Sequence, residues 1–327
     1  MLAGCQTSPL PPPAKEIRRA QPLLGTFVVI SAIGTNSAAV HRAIDLAFDA
    51  VREVDALMSL HRADSELVRL NASASEGPVA VSEELFRVIS FAQEVSRQTD
   101  GSFDVTIRPV ADLWGFIWKQ HRLPTDAELE KALTNVGHQR VELDPVRRTV
   151  RFNRPGVSID LGGVAKGYAV DSAIMTLRKH GVADAMVRAG GDLRVIGSQP
   201  GQAGWEVQLE DPAHRGKRVA VRLRDESIST AGNYENFFVV DGRRYSHILQ
   251  PRTGLPVEGL AACSVRATTC MESDALSTAL FVLGPERSVK QFGGTMAFRF
   301  TLMPHPADPS RWPVVASELW SANGDDR

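Results

Sequence analysis

Residues 158–171 read SIDLGGVAKGYAVD, which places an acid, bare backbone and a cation at a predicted strand-to-helix corner. Asp160 ends a short apolar run, Gly162 and Gly163 follow, and Lys166 lies where a helix should open. Glycines let a ligand approach the backbone, and a helix start offers N–H groups and a positive dipole to an anion. Asp160 could accept from a ribose hydroxyl or base, or help to hold a cation. The mixture suits a nucleotide with a metal ion; the alternative is a tight turn before a capped helix.

The pattern around this corner predicts an α+β fold with a largely antiparallel sheet core and packed helices. Helical periodicity begins after Ser37 and recurs at residues 82–98, 124–137, 167–181 and 273–284. Beyond residue 138 strand-like segments outnumber crossover helices, and turn signals between strands are common there. This excess of hairpins argues against a doubly wound parallel sheet. Residues 100–118 are predicted to be a connection.

Length and composition favour one integrated globular unit. The 327 residues can bury a sizeable core, and the net charge of −1 comes without a basic stripe, which argues against nucleic acid as the main partner. No apolar run approaches membrane-spanning length. We predict a leader remnant and tether at residues 1–21, a single domain at 22–303 and a loosely structured tail at 304–327.

The N-terminus resembles a bacterial lipobox, since Leu2-Ala3-Gly4-Cys5 would end in a lipidated cysteine. Only Met1 precedes it, so this interpretation supposes that the leader is absent; a chance cysteine is the alternative. Prolines at 9 and 11–13 would form an extended tether. We therefore expect an inner-membrane lipoprotein facing the periplasm, with a soluble periplasmic or cytoplasmic protein as the alternative. Cys263 and Cys270 are expected to be small core residues.

Two further stretches could carry chemistry. In SDALSTALFVLG (273–284), Asp274 and Thr278 lie four apart and would share a helix face, and their hard oxygens suit Mg²⁺. The alternative is that Ser273 or Asp274 only caps a buried helix. In residues 229–254, His247 follows a strand beside turns and glycines, where it could transfer a proton or be purely structural.

These stretches together resemble the ApbE family of FAD:protein FMN transferases. SIDLGGVAKGYAVD, AGGDLRVIG (189–197), STAGNY…DGRRYSHILQPRTGLPV (229–257) and SDALSTALFVLG occur in the family's order, and LLGTF (23–27) and DGSFDVTIRPVADLWGF (100–116) fit as well. The resemblance spans about residues 22–300. It implies that the protein binds FAD and, with Mg²⁺, transfers FMN to a threonine of a target protein through a phosphoester bond, releasing AMP.

The resemblance also implies site residues, position by position. It implies Mg²⁺ ligands at the Gly163 backbone oxygen, Asp274 and Thr278, with Ser277 adjacent to the metal. Asp274 and His247 are the implied catalytic residues. The implied FAD contacts are Leu24, Ser102, Phe103, Asp104, Asp160, Lys166 and Leu249. The implied partners are FAD and an acceptor protein of the membrane redox-complex type.

This chain departs from the family pattern at two positions. Gln250 stands where an acid is usual, which could weaken activity if that acid positions the metal or His247. Leu24 replaces a common methionine, a volume-conserving change. The alternatives left open are an FAD pyrophosphatase that gives FMN and AMP, and a non-enzymatic flavin carrier.

Overall fold

The structure, a computed structural model, describes residues 13–214, 216–305 and 307–321. The predicted lipobox at Cys5 lies outside these ranges. Within them, none of the helices combines the length and the apolar character needed to cross a bilayer.

The strands, in chain order, are β1 (Lys15–Leu23), β2 (Thr26–Gly34), β3 (Val79–Ala80), β4 (Val141–Asp144), β5 (Thr149–Phe152), β6 (Asp184–Ala189), β7 (Asp192–Ile196), β8 (Trp205–Glu210), β9 (Arg218–Leu223), β10 (Ser227–Gly232), β11 (Phe237–Val240), β12 (Arg243–Ser246), β13 (Leu260–Ala267), β14 (Ala297–Leu302) and β15 (Val314–Ala316). The main sheet has eight strands in the order β1-β2-β6-β7-β10-β13-β14-β15. Every neighbouring pair in it is antiparallel. The predicted fold class is therefore confirmed.

The helices are α1 (Ser37–Met58), α2 (Glu66–Ser73), α3 (Glu83–Gln98), α4 (Arg108–Trp114), α5 (Asp126–Leu133), α6 (Ala165–Lys179), α7 (Cys270–Leu283), α8 (Pro285–Phe292) and α9 (Glu318–Ser321). Short 3₁₀ turns cover Val105–Ile107 and His138–Arg140. Helix α1 begins where the Asn36 side chain accepts from the Ala39 N–H, and α3 where Ser82 accepts from the Leu85 N–H.

The main sheet has a helical face and a face covered by a β-ribbon. Strand β6 illustrates the alternation, since Ala185 and Val187 join the core under α1, α6 and α7, whereas Met186 points to the other side. On that other side, Trp205 of the β8–β9 ribbon and Trp320 of α9 are buried in a second apolar cluster against the sheet. Helix α7 is apolar around most of its circumference and is almost wholly buried, as expected for an internal helix.

Three local predictions differ from the structure. The connection at residues 100–118 contains α4, because Pro109 starts a helix whose apolar side packs against α5. Helix α5 ends at Leu133, before the predicted Gly137. Cys263 and Cys270 are both buried, as expected.

The tail beyond residue 304 is more ordered than predicted. Strand β15 pairs with β14 at the edge of the main sheet, and Trp320 is buried against the ribbon side of that sheet. The reason is that β14 would otherwise leave an open sheet edge, which β15 covers, and that the apolar surface beside it is covered by the Trp320 indole.

Helix α6 approaches α7 so closely that only glycine fits at the crossing. A Cβ on Gly167 would lie 2.2 Å from the Cys270 carbonyl oxygen and 2.8 Å from the Asp274 Cβ. Neither neighbour is the free end of a flexible side chain, so the helices themselves would have to separate.

We therefore expect Gly167→Ala to lower the free energy of unfolding by about 3 kcal/mol, measured by urea denaturation. Gly77→Ala is the matched control, because its added Cβ would meet nothing within 4 Å. Equal unfolding midpoints for the two variants would show that the α6–α7 crossing tolerates a methyl group.

Candidate active site

A buried cluster of opposite charges joins α6, β7 and α7. Lys166, in the first turn of α6, pairs its ammonium with the carboxylate of Asp192, the first residue of β7. The same ammonium lies 3.8 Å from Oδ1 of Asp274 on α7. Oδ2 of Asp274 accepts from the Gly167 N–H at 2.9 Å. Asp192 and Asp274 are each only 3% exposed, so their interaction with Lys166 is screened little by water.

The cluster leaves an excess of negative charge when all of its groups are ionised. Burial alone would lower the pKa of Lys166. The Asp192 and Asp274 carboxylates raise it by more than burial lowers it, so the pKa lies above its usual value and the ammonium stays charged. Burial raises the pKa of Asp274 to about 7; the charge of Asp192 raises it too, and Lys166 opposes both. Two buried acids facing one cation can accept a further positive charge.

Asp274, Thr278 and the Gly163 backbone bring together three kinds of oxygen donor whose chemistry suits Mg²⁺. Thr278 follows one turn later on α7, and a Cβ on Gly163 would lie 3.6 Å from the Thr278 Oγ1. The Gly163 backbone therefore lies beside this hydroxyl. One carboxylate, one hydroxyl and one carbonyl are hard ligands, and Mg²⁺ commonly completes its shell with water and phosphate oxygens. Across residues 13–214, 216–305 and 307–321, no group of three or more His, Cys, Asp or Glu side chains could hold a metal.

Two predictions about α7 have clear structural outcomes. The helix is capped by Thr269, whose side chain accepts from the Glu272 N–H, so Ser273 and Asp274 are not its caps. Ser277 is buried beside the donors, but its hydroxyl donates at 2.9 Å to the Asp274 carbonyl. Its role next to the metal stays a prediction.

Several N–H groups of the corner at residues 158–171 are already used by the protein's own acceptors. The Gly162 N–H donates to Oδ1 of Asp160, and the Val164 and Ala165 N–H groups both donate to the Leu161 carbonyl. The Gly167 N–H donates to Asp274, so these four donors are not available to an anion. The positive charge that remains here for a ligand is the Lys166 ammonium, whose side chain is 35% exposed.

The predicted flavin contacts form two sets. Near the metal ligands, the Phe103 ring would lie 3.2 Å from a Cβ on Gly163, and the Asp160 N–H donates to the Val105 carbonyl. Asp104 is turned into its own 3₁₀ turn, where Oδ1 accepts from the Thr106 N–H and hydroxyl. Its carboxylate therefore orders this loop, and Ser102 lies buried beside it.

The other two predicted contacts lie elsewhere in the fold. Leu24 lies in the β1–β2 turn with φ of 55°, and Leu249 is buried with Trp114 in a separate aromatic and aliphatic cluster. Gln250 holds the turn that follows, because its backbone N–H donates to Leu255 and its carbonyl accepts from Gly254.

His247 is exposed at the end of β12 and has one nitrogen fixed by the backbone. Its Nδ1 lies 3.0 Å from the Asn236 carbonyl, which also accepts from the His247 backbone N–H. A carbonyl can only accept, so Nδ1 carries the proton and Nε2 keeps its lone pair. Neighbouring protein excludes part of the ring's water and lowers the pKa of His247; the Asn236 carbonyl opposes this, and the charge of Lys166 lowers the pKa further.

Sequence reasoning missed several residues that shape the site. Asp192 was the acid in AGGDLRVIG, and an acid after a glycine pair at a strand start was the available signal. Asp171, the last residue of SIDLGGVAKGYAVD, accepts from the Cys270 and Met271 N–H groups at 2.9 Å, and Arg194 donates to it at 2.6 Å. No spacing rule links these residues, because they come from three separate segments.

Charged residues around Asp160 were also missed. Burial raises the pKa of Asp160; the Gly162 N–H and the charges of Arg108 and His61 lower it, and the charge of Asp112 raises it. His61 and Arg108 therefore belong to the electrostatic surroundings of this acid. His61 also contacts Trp118 edge-on, with ring centroids 5.4 Å apart.

Comparison with known proteins identifies the family to which the chain belongs. Residues 24–296 match the ApbE family. The curated FAD:protein FMN transferase of Vibrio cholerae is 33% identical over 297 residues, covering 88% of this chain and 86% of that protein. The enzyme of the same name from Salmonella typhimurium is 32% identical over 301 residues, covering 88% and 85%.

Solved structures extend the match to the fold. The flavin transferase ApbE from Vibrio cholerae superposes with a TM-score of 0.84 at 29% identity, covering 95% of this chain and all (100%) of that one. The ApbE protein from Thermotoga maritima gives a TM-score of 0.84 at 29% identity over 96% of this chain and 100% of its own. A variant of the Vibrio cholerae enzyme with histidine replaced by glycine gives 0.83 at 29% identity, covering 94% and 99%.

We expect Asp171→Asn to lower the free energy of unfolding by about 3 kcal/mol, because the buried Arg194 loses its counter-charge and the start of α7 loses an acceptor. Chemical denaturation measures the loss. Asp49→Asn, in an exposed pair with Arg52, is the control and should change stability by less than about 1 kcal/mol. A neutral Asp171→Asn would contradict the assigned role.

Proposed function

Because the chain belongs to the ApbE family and is a flavin transferase, we propose that it transfers FMN from FAD to a threonine of an acceptor protein, with Mg²⁺ as cofactor and AMP as the second product. The observation that carries the proposal is the convergence of Lys166, Asp274, Thr278 and Gly163 at the junction of α6 and α7. The relatives are FAD:protein FMN transferases, which supports the flavin chemistry. Mg²⁺, the threonine acceptor and AMP release are part of the proposal.

The protein's own groups can perform two tasks in such a reaction. Asp274, Thr278 and the Gly163 carbonyl would hold Mg²⁺, which when bound would supply charge neutralisation at the diphosphate. Lys166 would remain cationic, because Asp192 pairs with its ammonium and holds it in place. It would reach the nucleotide from the same side as the metal ligands. Phosphoryl transfer depends mainly on such positioning and charge, and less on covalent help from the protein.

His247 would act as the general base toward the incoming hydroxyl. Its Nε2 is the free nitrogen, and its lowered pKa keeps the ring neutral at physiological pH. The charge of Lys166 contributes to lowering the pKa of this ring and so helps to keep it neutral. The proton of the acceptor hydroxyl would pass to Nε2 as the oxygen attacks phosphorus and AMP leaves.

We further propose that the acceptor is a subunit of a membrane redox complex and that a lipid on Cys5 would place the enzyme at the periplasmic face of the inner membrane. The proline-rich segment after Cys5 supports this, as it provides a spacer between an anchor and the first described strand. Labelling with a radioactive fatty acid tests the anchor: Cys5→Ser should abolish incorporation, and persistent labelling would overturn the assignment.

Asp274→Asn tests the metal ligand. We expect FMN transfer to fall by at least about 100-fold, because one carboxylate ligand and its charge are lost at a buried site. The assay is in-gel flavin fluorescence of an acceptor domain incubated with FAD and Mg²⁺, with free FMN measured in parallel. Ser198→Ala, which lies outside the cluster, is the control for effects of substitution and purification that are unrelated to the site. Transfer at the wild-type rate would remove Asp274 from the site, and release of FMN without acceptor labelling in the wild type would favour a pyrophosphatase.

The pH dependence tests His247. The lowered pKa means that the ring loses its proton below the usual histidine value of 6.5, so activity should rise with pH through a midpoint below 6.5 and then stay level. The measurement is kcat/KM for the acceptor at saturating FAD and Mg²⁺, where bound metal keeps Asp274 ionised. His247→Ala should lower kcat/KM by about 100-fold or more and should abolish this rise of activity with pH, the acid limb of the profile. An unchanged limb in that variant would assign the titration to another group.

A further inference from the structure

The β11–β12 hairpin has two different faces. Phe238 and Tyr245 pack with Trp114 and Phe116 on the face that also carries His247. Side chains alternate along a strand, so Phe237, Arg244 and Ser246 point to the opposite face. That face borders a cavity of about 480 Å³ and an adjoining one of about 270 Å³, which share Asn233, Arg244 and Met303 as walls. We call the two together the hairpin cavity.

The hairpin cavity contains buried polar atoms that lack a partner among the described residues. Asn233 is 7% exposed; its amide nitrogen donates to the Leu260 carbonyl, but its Oδ1 has no donor. Ser246 is 3% exposed, and its hydroxyl likewise has no partner. Buried polar groups without a partner are unfavourable, so a ligand N–H or O–H that reached them would be stabilised.

The cavity also contains a cation without a counter-charge. The Arg244 guanidinium lies 4.2 Å from the centre of the Phe237 ring, and no carboxylate of the described residues is within ion-pair distance of it. Its neighbour Arg243 differs, since it pairs with Glu258 at 2.7 Å and lies over Tyr245. Arg244 is therefore held by an aromatic ring with its hydrogen-bond donors available to an anion.

The position of the cavity relates it to the transfer reaction. Ser246 lines it, and the next residue is His247, whose ring lies on the opposite face of the same hairpin end. An extended peptide advances about 3.3 Å per residue, so a chain seated against Ser246 reaches the His247 ring within a few residues. The other walls include Tyr234, Met303 and Trp312 and one acid, Glu258, which is paired with Arg243.

We propose that the hairpin cavity docks an extended segment of the acceptor protein, next to its flavinylated threonine, with a carboxylate side chain on Arg244 and a backbone N–H on Asn233. This inference rests on the proposed function. The charge of Arg244 favours an acidic partner, and the unpartnered Asn233 oxygen favours a donor that every peptide carries. The cavity volume lies in the range of ordinary ligand pockets.

Steady-state transfer to a flavin-acceptor domain that the wild-type enzyme labels tests the docking. We expect Arg244→Ala to raise the KM for the acceptor about 10-fold, as for loss of one charge-assisted hydrogen bond. The KM for FAD should stay within about twofold of wild type, as should kcat at saturating acceptor. Arg147→Ala is the control, because this exposed arginine pairs with Asp144 and does not line the cavity, and its acceptor KM should change less than about twofold.

Charge reversal identifies the contact. Acidic residues near the acceptor threonine are changed singly to lysine, and Arg244→Glu should restore binding to one of these acceptors while weakening binding of the native one. Equal acceptor KM values for wild type and Arg244→Ala, a raised KM for FAD, or no rescue with any acceptor would overturn the docking site. Failure of the wild-type enzyme to label any acceptor would instead overturn the proposed function, so the two failures are distinguishable.

Discussion

The attraction between one partly exposed ammonium and two buried carboxylates holds three elements of this protein together. Lys166, Asp192 and Asp274 come from α6, β7 and α7, and each acid would be costly to bury alone. Their mutual neutralisation lets a strand of the main sheet and two helices meet. In the proposed reaction the surplus negative charge would also attract a divalent cation, so folding and catalysis would depend on the same charges.

A second acid–base pair supports the first on the same three elements. Asp171 on α6 caps the start of α7 and binds Arg194, two residues after Asp192 on β7. The two pairs run in opposite directions, with the cation on α6 in one and on β7 in the other. Gly167 lies between them and lets the helices approach to backbone contact. The helix that carries Asp274 and Thr278 is thereby fixed in rotation as well as in position.

The β11–β12 hairpin has one aromatic face and one face that borders a cavity. One face packs aromatic rings from α4 and the following loop, and this packing holds Tyr245 and the adjacent His247 segment. The Asn236 carbonyl fixes the histidine tautomer from within the hairpin itself. The other face is lined with unpartnered polar groups. If both proposals hold, this division would let the acceptor bind on one side without disturbing proton transfer to His247 on the other.

The amino-acid sequence by itself determined the local elements and the chemical types at the site. Periodicity located α1 and α3, alternation and turn residues predicted an antiparallel sheet, and the spacing of Asp274 and Thr278 gave one helix face, because these properties depend on neighbours within a few residues. It did not show that several N–H groups at the glycine corner bind the protein's own acceptors, and it missed Asp192, Asp171, Arg194 and Arg244. Those features depend on which distant segment supplies the partner: whether Lys166 meets a phosphate or an aspartate, and whether an arginine is paired. Only the tertiary structure decided them, because burial and charge pairing act through space between residues that the chain keeps far apart.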